Sequence, residues 1–185
     1  MLFRLHLYTF GMRVESPAFT EREMRAFLDE VSDHERQRLI ARLQAASARL
    51  AILVNEGLGP QSNGQEAWTG HDILAHIAVL SKFYGMLTYQ VGSGKVTQVE
   101  LLKHVQARDV AGEQLSALPD KELLSITQQD HQRTIAFLQS ADAAALHRNA
   151  TLYEGFSMSA LELALLGLCS HLEIHLDQLQ RARQP

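Results

Sequence analysis

The 185-residue chain contains a single cysteine, Cys169, which excludes an internal disulfide framework and any zinc site built from several thiolates. Its four prolines and 11 glycines are too few for a collagen-like, disordered or turn-rich all-β chain. Basic residues are not in excess either: 17 Lys and Arg stand against 21 Asp and Glu, a formal net charge of -4. A protein that neutralises the phosphates of a nucleic acid needs the opposite balance, so no nucleic-acid partner is expected. No apolar run approaches the roughly 18 residues of a membrane span, since the greasiest stretch, Met158 to Cys169, is short and contains Glu162. Residues 1–19 are apolar but broken by Arg4, His6 and Arg13, and they lack the core and cleavage site of a secretory signal. They read as an arm or an upstream-start extension, with Met12 as a candidate start, and residues 20–185 as one domain. The expectation is a cytoplasmic protein with no membrane partner, and one cysteine is compatible with a reducing compartment.

What is present is helical periodicity. Thr20 with Glu23 forms a candidate capping box, followed by a charged run to Arg38 that reads as a solvated face. Leu39, Leu43, Ala46, Leu50, Leu53 and Val54 then recur at spacings of three and four. After a break rich in glycine near Gly57 to Gly64, Thr69 and Asp72 form a second box. The helix it opens runs to about Gln90 through Ile73, His76, Ile77, Leu80, Phe83, Tyr84 and Leu87. Gly92 to Lys95 is a turn after a helix, not a phosphate loop after a strand. A less regular helix is expected over Val99 to Val110. Pro119 and Asp120 open another, with Leu124, His131, Ile135 and Leu138 near one stripe. Asp142 to Phe156 reads as a connection or a short helix and loop. The last helix starts near Ser157 or Ser159, with Glu162 as box partner, and runs to Arg183 along Met158, Leu161, Leu165, Leu168, Leu172 and Leu179. No strand is convincing. The pattern predicts an all-α, up-and-down four-helix bundle with a short extra helix or irregular crossover.

Nine histidines against one cysteine mean that any metal chemistry must come from imidazole and carboxylate. Three of them, His76, His171 and His175, occupy helix stripes where apolar residues belong. His171 and His175 are one turn apart and separated by about 40° around the helix, so both rings can reach one ion. His76 lies between Ile73 and Leu80, and a helix packed at the usual distance of about 8 to 10 Å brings it across to that pair. Three neutral nitrogens leave a position for water or substrate, as in catalytic sites. Zn fits the donor set best, with Ni, Fe and Mn also open. The plain alternative is a set of satisfied core histidines, because an i, i+4 pair also arises by chance.

Other polar residues have weaker claims. His131 is either a non-ligand or a fourth ligand or proton donor. Asp72 is a cap residue that can also accept from His76, and Gln178, nearly in line with His171, is a candidate contact for substrate or for the ligands. His71 belongs to the cap, and His6, His34, His104 and His147 read as solvated. Glu173 and Asp177 point away from the histidine stripe, and Cys169 is a small packing residue. No G-x-S-x-G, Walker loop, G-x-G-x-x-G, H-E-x-x-H or repeated acidic-x-x-His pair occurs.

The run Trp68-Thr69-Gly70-His71-Asp72-Ile73-Leu74-Ala75-His76-Ile77 resembles the signature Trp-Ser/Thr-x-x-Asp/Glu-x-Leu-x-His-Leu of the DinB-like superfamily. The run His171 to Leu179 is similar to that superfamily's closing motif, His-x-x-x-His-x-x-Gln-Leu. The superfamily includes the amino-terminal domain of mycothiol-dependent maleylpyruvate isomerase and colibactin-resistance-type proteins. The resemblance covers about Glu35 to Arg183. It implies a four-helix bundle, often a homodimer, with a divalent metal on His76, His171 and His175. It also implies chemistry on a small-molecule substrate, of the kind run by thiol-dependent transferases and isomerases or by hydrolases. Ile174 stands where the superfamily often has His or Tyr, which puts one contact beside the triad in doubt. The chain is too short for the carboxy-terminal domain of the mycothiol enzyme, so that enzyme's particular reaction is not carried over. Two readings remain: an enzyme whose metal activates a low-molecular-weight thiol or water, and a non-catalytic metal-binding or dimerisation bundle, favoured by the lack of an obvious general base.

Overall fold

A computed structural model describes residues 19–59, 68–100, 112 and 114–183. The arm over 1–18, with His6, and most of the helix expected over Val99 to Val110, with His104, lie outside these residues. Helix α1 spans Glu21–Asn55, α2 Gly70–Gly92, α3 Asp120–Ser140 and α4 Ala143–Leu146. Strands β1 (Asn149–Tyr153) and β2 (Phe156–Ser159) form an antiparallel hairpin. The closing helix comprises α5 (Ala160–Ala164), a π-helical turn (Leu165–Ser170) and α6 (His171–Ala182).

Three helix starts follow the capping chemistry in the sequence. Thr20 with Glu23, Thr69 with Asp72 and Ser159 with Glu162 each make both halves of the reciprocal box. Each box satisfies N–H groups that would otherwise lack a partner in the first turn. The charged start of α1 is exposed and laced by local pairs such as Arg25 with Glu21 and Arg38 with Glu35. Beyond it, Leu39, Leu43, Leu50 and Leu53 are buried against Ile73, Leu74 and Ile77 of α2, Leu123 and Leu138 of α3, and Leu168, Leu172, Leu176 and Leu179 of the closing helix. Among the described residues the regular structure is helical apart from the hairpin and the bridge of Gln98 to Thr151. No helix among the described residues is long and apolar enough to cross a membrane.

Helix directions depart from up-and-down alternation. His71 meets Asp120, Ser81 meets His131 and Tyr89 meets Phe137, so α2 and α3 run parallel. Arg42 meets Glu173 and Glu56 meets Arg183, so α1 and the closing helix are also parallel. Pro119, at the start of α3, therefore lies at the end where α2 began. Local periodicity carries no information about that choice, which depends on the length of the connection.

The hairpin is a second correction: the stretch from Asp142 to Phe156 was expected to be a connection or a short helix and loop, and the short helix α4 is there, but a strand pair stands where the loop was expected. Gly155, at φ 73°, makes the tight turn between Tyr153 and Phe156. The backbone of Thr97 and Val99 bonds to both sides of Thr151, extending the pairing. Ala150, Ala160, Leu163, Leu87, Val91 and Val99 close a small second core beneath it.

The third correction concerns the closing helix. Met158 lies in β2, and Leu165 is exposed while the stripe was expected to include both. Leu168, Leu172 and Leu179 are buried as expected, joined by Ala160, Leu163, Ala164, Cys169 and Leu176, and one row of these, Ala160, Ala164, Leu168, Leu172 and Leu176, steps by four. An α-helix turns once in about 3.6 residues, so a stripe stepping by four drifts around it. The π-helical turn absorbs the excess, with the His171 N–H donating to the Leu166 carbonyl. Within that turn Gly167 lies under the Tyr84 ring, and a Cβ built on it would stand 2.1 Å from the ring.

Two predictions follow from these contacts. Replacing a helical glycine with alanine ordinarily favours the helix by about 1 kcal/mol, but at Gly167 overpacking dominates. Gly167→Ala should lower stability by roughly 1–3 kcal/mol in urea denaturation; unchanged or increased stability would refute the contact with Tyr84. The second prediction concerns His71, whose Nδ1 is 2.6 Å from Asp120 Oδ1 and whose Nε2 is 2.8 Å from the Ser116 carbonyl. Both partners are acceptors, so only the imidazolium satisfies both, and Asp120, then the Ser116 carbonyl, raises the His71 pKa. The charged staple therefore contributes stability that is present below the unfolded pKa of about 6.5 and is lost as pH rises through the folded value. The melting-temperature advantage of wild type over His71→Ala should shrink between about pH 6 and pH 9. A constant or widening difference would contradict the staple.

Candidate metal centre

Two helices deliver three imidazoles to one place. His76 comes from the second turn of α2, whose start is set by the Thr69 cap. His171 and His175 come from the first two turns of α6, directly after the π-helical turn. Ring centroids are 5.8 Å apart for His76 and His171, 4.7 Å for His76 and His175, and 4.7 Å for His171 and His175. One nitrogen from each ring lies within 4.8 Å of the others, a grouping able to hold a metal ion. The Trp68 ring packs at 4.9 Å from His76, tilted by 59°. His175 is buried, while His76 and His171 are half-buried, so the cluster opens to one side.

The donor set suits a divalent ion on one specific observation. His175 Nδ1 lies 2.7 Å from Gln178 Oε1, which leaves Nε2 for the cluster. That Nε2 is fully buried and has no hydrogen-bond partner. A buried polar atom left unpaired costs about 1–3 kcal/mol, and ligation removes that cost. Burial also lowers the His175 pKa, an effect that the Gln178 hydrogen bond opposes, and so favours the neutral ring a metal requires.

The opposite side of α6 is tied to α1. Arg42 grips Glu173 through two bonds of 3.0 and 2.6 Å, Arg49 pairs with Asp177 at 2.8 Å, and Arg183 pairs with Glu56 at 2.7 Å. Glu173 and Asp177, expected to be solvent-facing, are thus half-exposed ion-pair partners. Such pairs are individually worth at most about 1 kcal/mol, but together they hold one face of α6 to α1 while the histidine face meets α2.

The other sequence candidates fall elsewhere. The Asp72 carboxylate accepts from the backbone and hydroxyl of Thr69 in the cap, and those bonds lower its pKa. His131 is buried between α2 and α3 with Nε2 2.9 Å from Ser81 Oγ, outside the triad. Burial pushes its pKa down to about 4, so the ring is neutral at physiological pH; its position beside Ser81, and not its charge, keeps it out of the group. Cys169 is buried, its thiol reaches the Leu39 carbonyl at 3.7 Å, and burial pushes its pKa up to about 12. It therefore packs and does not act as a nucleophile. His147, read as solvated, contacts Ser32 Oγ at 2.6 Å across the chain. Sequence reasoning named Gln178 as a candidate contact for the ligands but set it in line with His171; the structure places its amide oxygen on His175, three residues away on the same helix.

No protein-family model and no curated protein matches the chain. Solved structures do. The crystal structure of the mycothiol-dependent maleylpyruvate isomerase superposes with a TM-score of 0.63 at 17% identity, over 78% of this chain and 60% of that one. A histidine-to-alanine mutant of the same enzyme matches with the same TM-score at 16% identity and the same coverage. The chain thus spans less than two thirds of the isomerase's length, and at this identity the likeness is one of fold. The fold of this chain is shared with that isomerase over the 78% of the chain that superposes.

Proposed function

We propose that this protein is a metal-dependent enzyme in which His76, His171 and His175 hold a divalent ion, and that it activates a low-molecular-weight thiol or water toward an electrophilic small molecule. The observation that carries this reading is the convergence of three imidazoles, one of them with a buried, unpartnered Nε2, on the half-open side of a helical core. Zn, Ni, Fe and Mn are the ions compatible with an all-imidazole donor set. Such an ion, when bound, supplies Lewis-acid chemistry and lowers the pKa of a water or thiol beside it. The protein's own groups hold the donors in place and exclude water from their buried side.

The thiol is external in this reading, because the chain's one cysteine is buried, has a raised pKa and bonds to the Leu39 carbonyl. The fold likeness to a mycothiol-dependent isomerase supports thiol chemistry over plain hydrolysis. Action as a homodimer in the cytoplasm is part of the same proposal. A hydrolase using metal-bound water, and a non-catalytic metal-binding or dimerisation bundle, are the readings it competes with.

Metal-free protein titrated with Zn or Ni should take up about one ion per chain and gain about 2.7 kcal/mol of stability at a free ion concentration of 100 Kd. The His171→Ala, His175→Ala double variant should show neither effect. Trp68, the only tryptophan, is close enough to His76 for Ni to quench its fluorescence in wild type alone. Equal metal uptake by both proteins would refute the site. With the loaded protein, metal-dependent thiol consumption against a panel of electrophiles, lost in His76→Ala with helical circular dichroism retained, would support the transferase reading. Ester or amide hydrolysis without thiol would support the hydrolase, and a metal-loaded protein inactive in both would support the bundle without catalysis.

A further inference from the structure

We propose that Gln178 is a positioning residue that fixes the tautomer of His175: its amide oxygen accepts the Nδ1 proton, so that Nε2 presents a lone pair to the other two imidazoles. The contact is 2.7 Å, short for a hydrogen bond between neutral groups and therefore well formed. Two proton arrangements are compatible with that distance. If the amide nitrogen donated to Nδ1 instead, the ring proton would sit on Nε2. There it would be fully buried with no acceptor, because Nε2 has no hydrogen-bond partner. With the amide oxygen accepting, the same Nε2 carries only a lone pair, which is the form that binds an ion.

The geometry is built into a single helix. Residues three apart on α6 lie on one face, so Gln178 orients the ring without help from any other element. The helix around it is anchored, since Leu176 and Leu179 are fully buried and the adjoining Asp177 pairs with Arg49. A ligating histidine commonly gives its second nitrogen to a carboxylate or a backbone carbonyl. Here an amide does that work, orienting the ring without placing a negative charge next to it.

The consequence for metal affinity rests on the reading in the preceding subsection, whereas the tautomer does not. Nitrogen-15 spectra of the metal-free full chain should show His175 with its proton on Nδ1. In Gln178→Leu both tautomers should appear, and zinc affinity measured by chelator competition should fall about 10–100-fold. Gln178→Glu keeps an acceptor at the same place and should stay within about threefold of wild type or bind more tightly, which separates loss of the hydrogen bond from a packing defect. The proposal is overturned if wild-type His175 carries its proton on Nε2, or if Gln178→Leu binds zinc as wild type does. Should wild type bind no zinc at all, the metal reading fails, and the wild-type spectrum still decides the role of Gln178.

Discussion

A polar atom that a helix stripe carries into a leucine-rich core costs free energy unless it finds a partner, and the histidine cluster is where that constraint bears on chemistry. His76 and His175 lie on stripes whose other members, Ile73, Ile77, Leu80, Leu172, Leu176 and Leu179, are buried hydrocarbon. The Nδ1 atom of His175 is satisfied by Gln178, and its Nε2 is left without a hydrogen-bond partner. An atom of that kind at the meeting point of three imidazoles connects packing to chemistry, since the unpartnered nitrogen that costs stability is also one suited to holding an ion.

The surrounding structure sets the angle at which those rings meet. Arg42 and Arg49 of α1, with Glu56 at its C-cap, hold the charged face of the closing helix, and the Gly167 contact with Tyr84 holds the π-helical turn against α2. Between these two attachments, α6 cannot turn independently of its neighbours. The extra residue in the π-helical turn lets α5 bury Ala160 and Ala164 while α6 buries Leu172 and Leu176, which a continuous α-helix of this length does not allow. At the start of α2, His71 ties the helix to Asp120 and to the Ser116 carbonyl, so the parallel pairing of α2 and α3 is secured close to the site.

Much of this was legible in the sequence wherever the physics is local. All three capping boxes are reciprocal pairs three residues apart, and the α1 stripe from Leu39 to Val54 is buried as its spacing requires. The three histidines stood out because a polar residue in an apolar stripe is conspicuous at any distance along the chain. The parallel run of α2 and α3 was not legible, because direction depends on a long connection and not on periodicity. The hairpin was hidden because its strands of five and four residues are too short to establish an alternation. The π-helical turn was hidden by the assumption of 100° per residue, which assigned Leu165 to the core where it is 39% exposed. His71 and His147 were read as unremarkable because their partners, Asp120 and Ser32, lie 49 and 115 residues away.

The central claim is that the three imidazoles act together as ligands of one ion. X-ray absorption at the metal edge of the zinc- or nickel-loaded protein tests it most directly. The account predicts a first shell that includes three imidazole nitrogens at about 2.0–2.1 Å, with the outer-ring scattering that identifies histidine. A shell of oxygen alone, or one fitted by no more than a single imidazole, would contradict it.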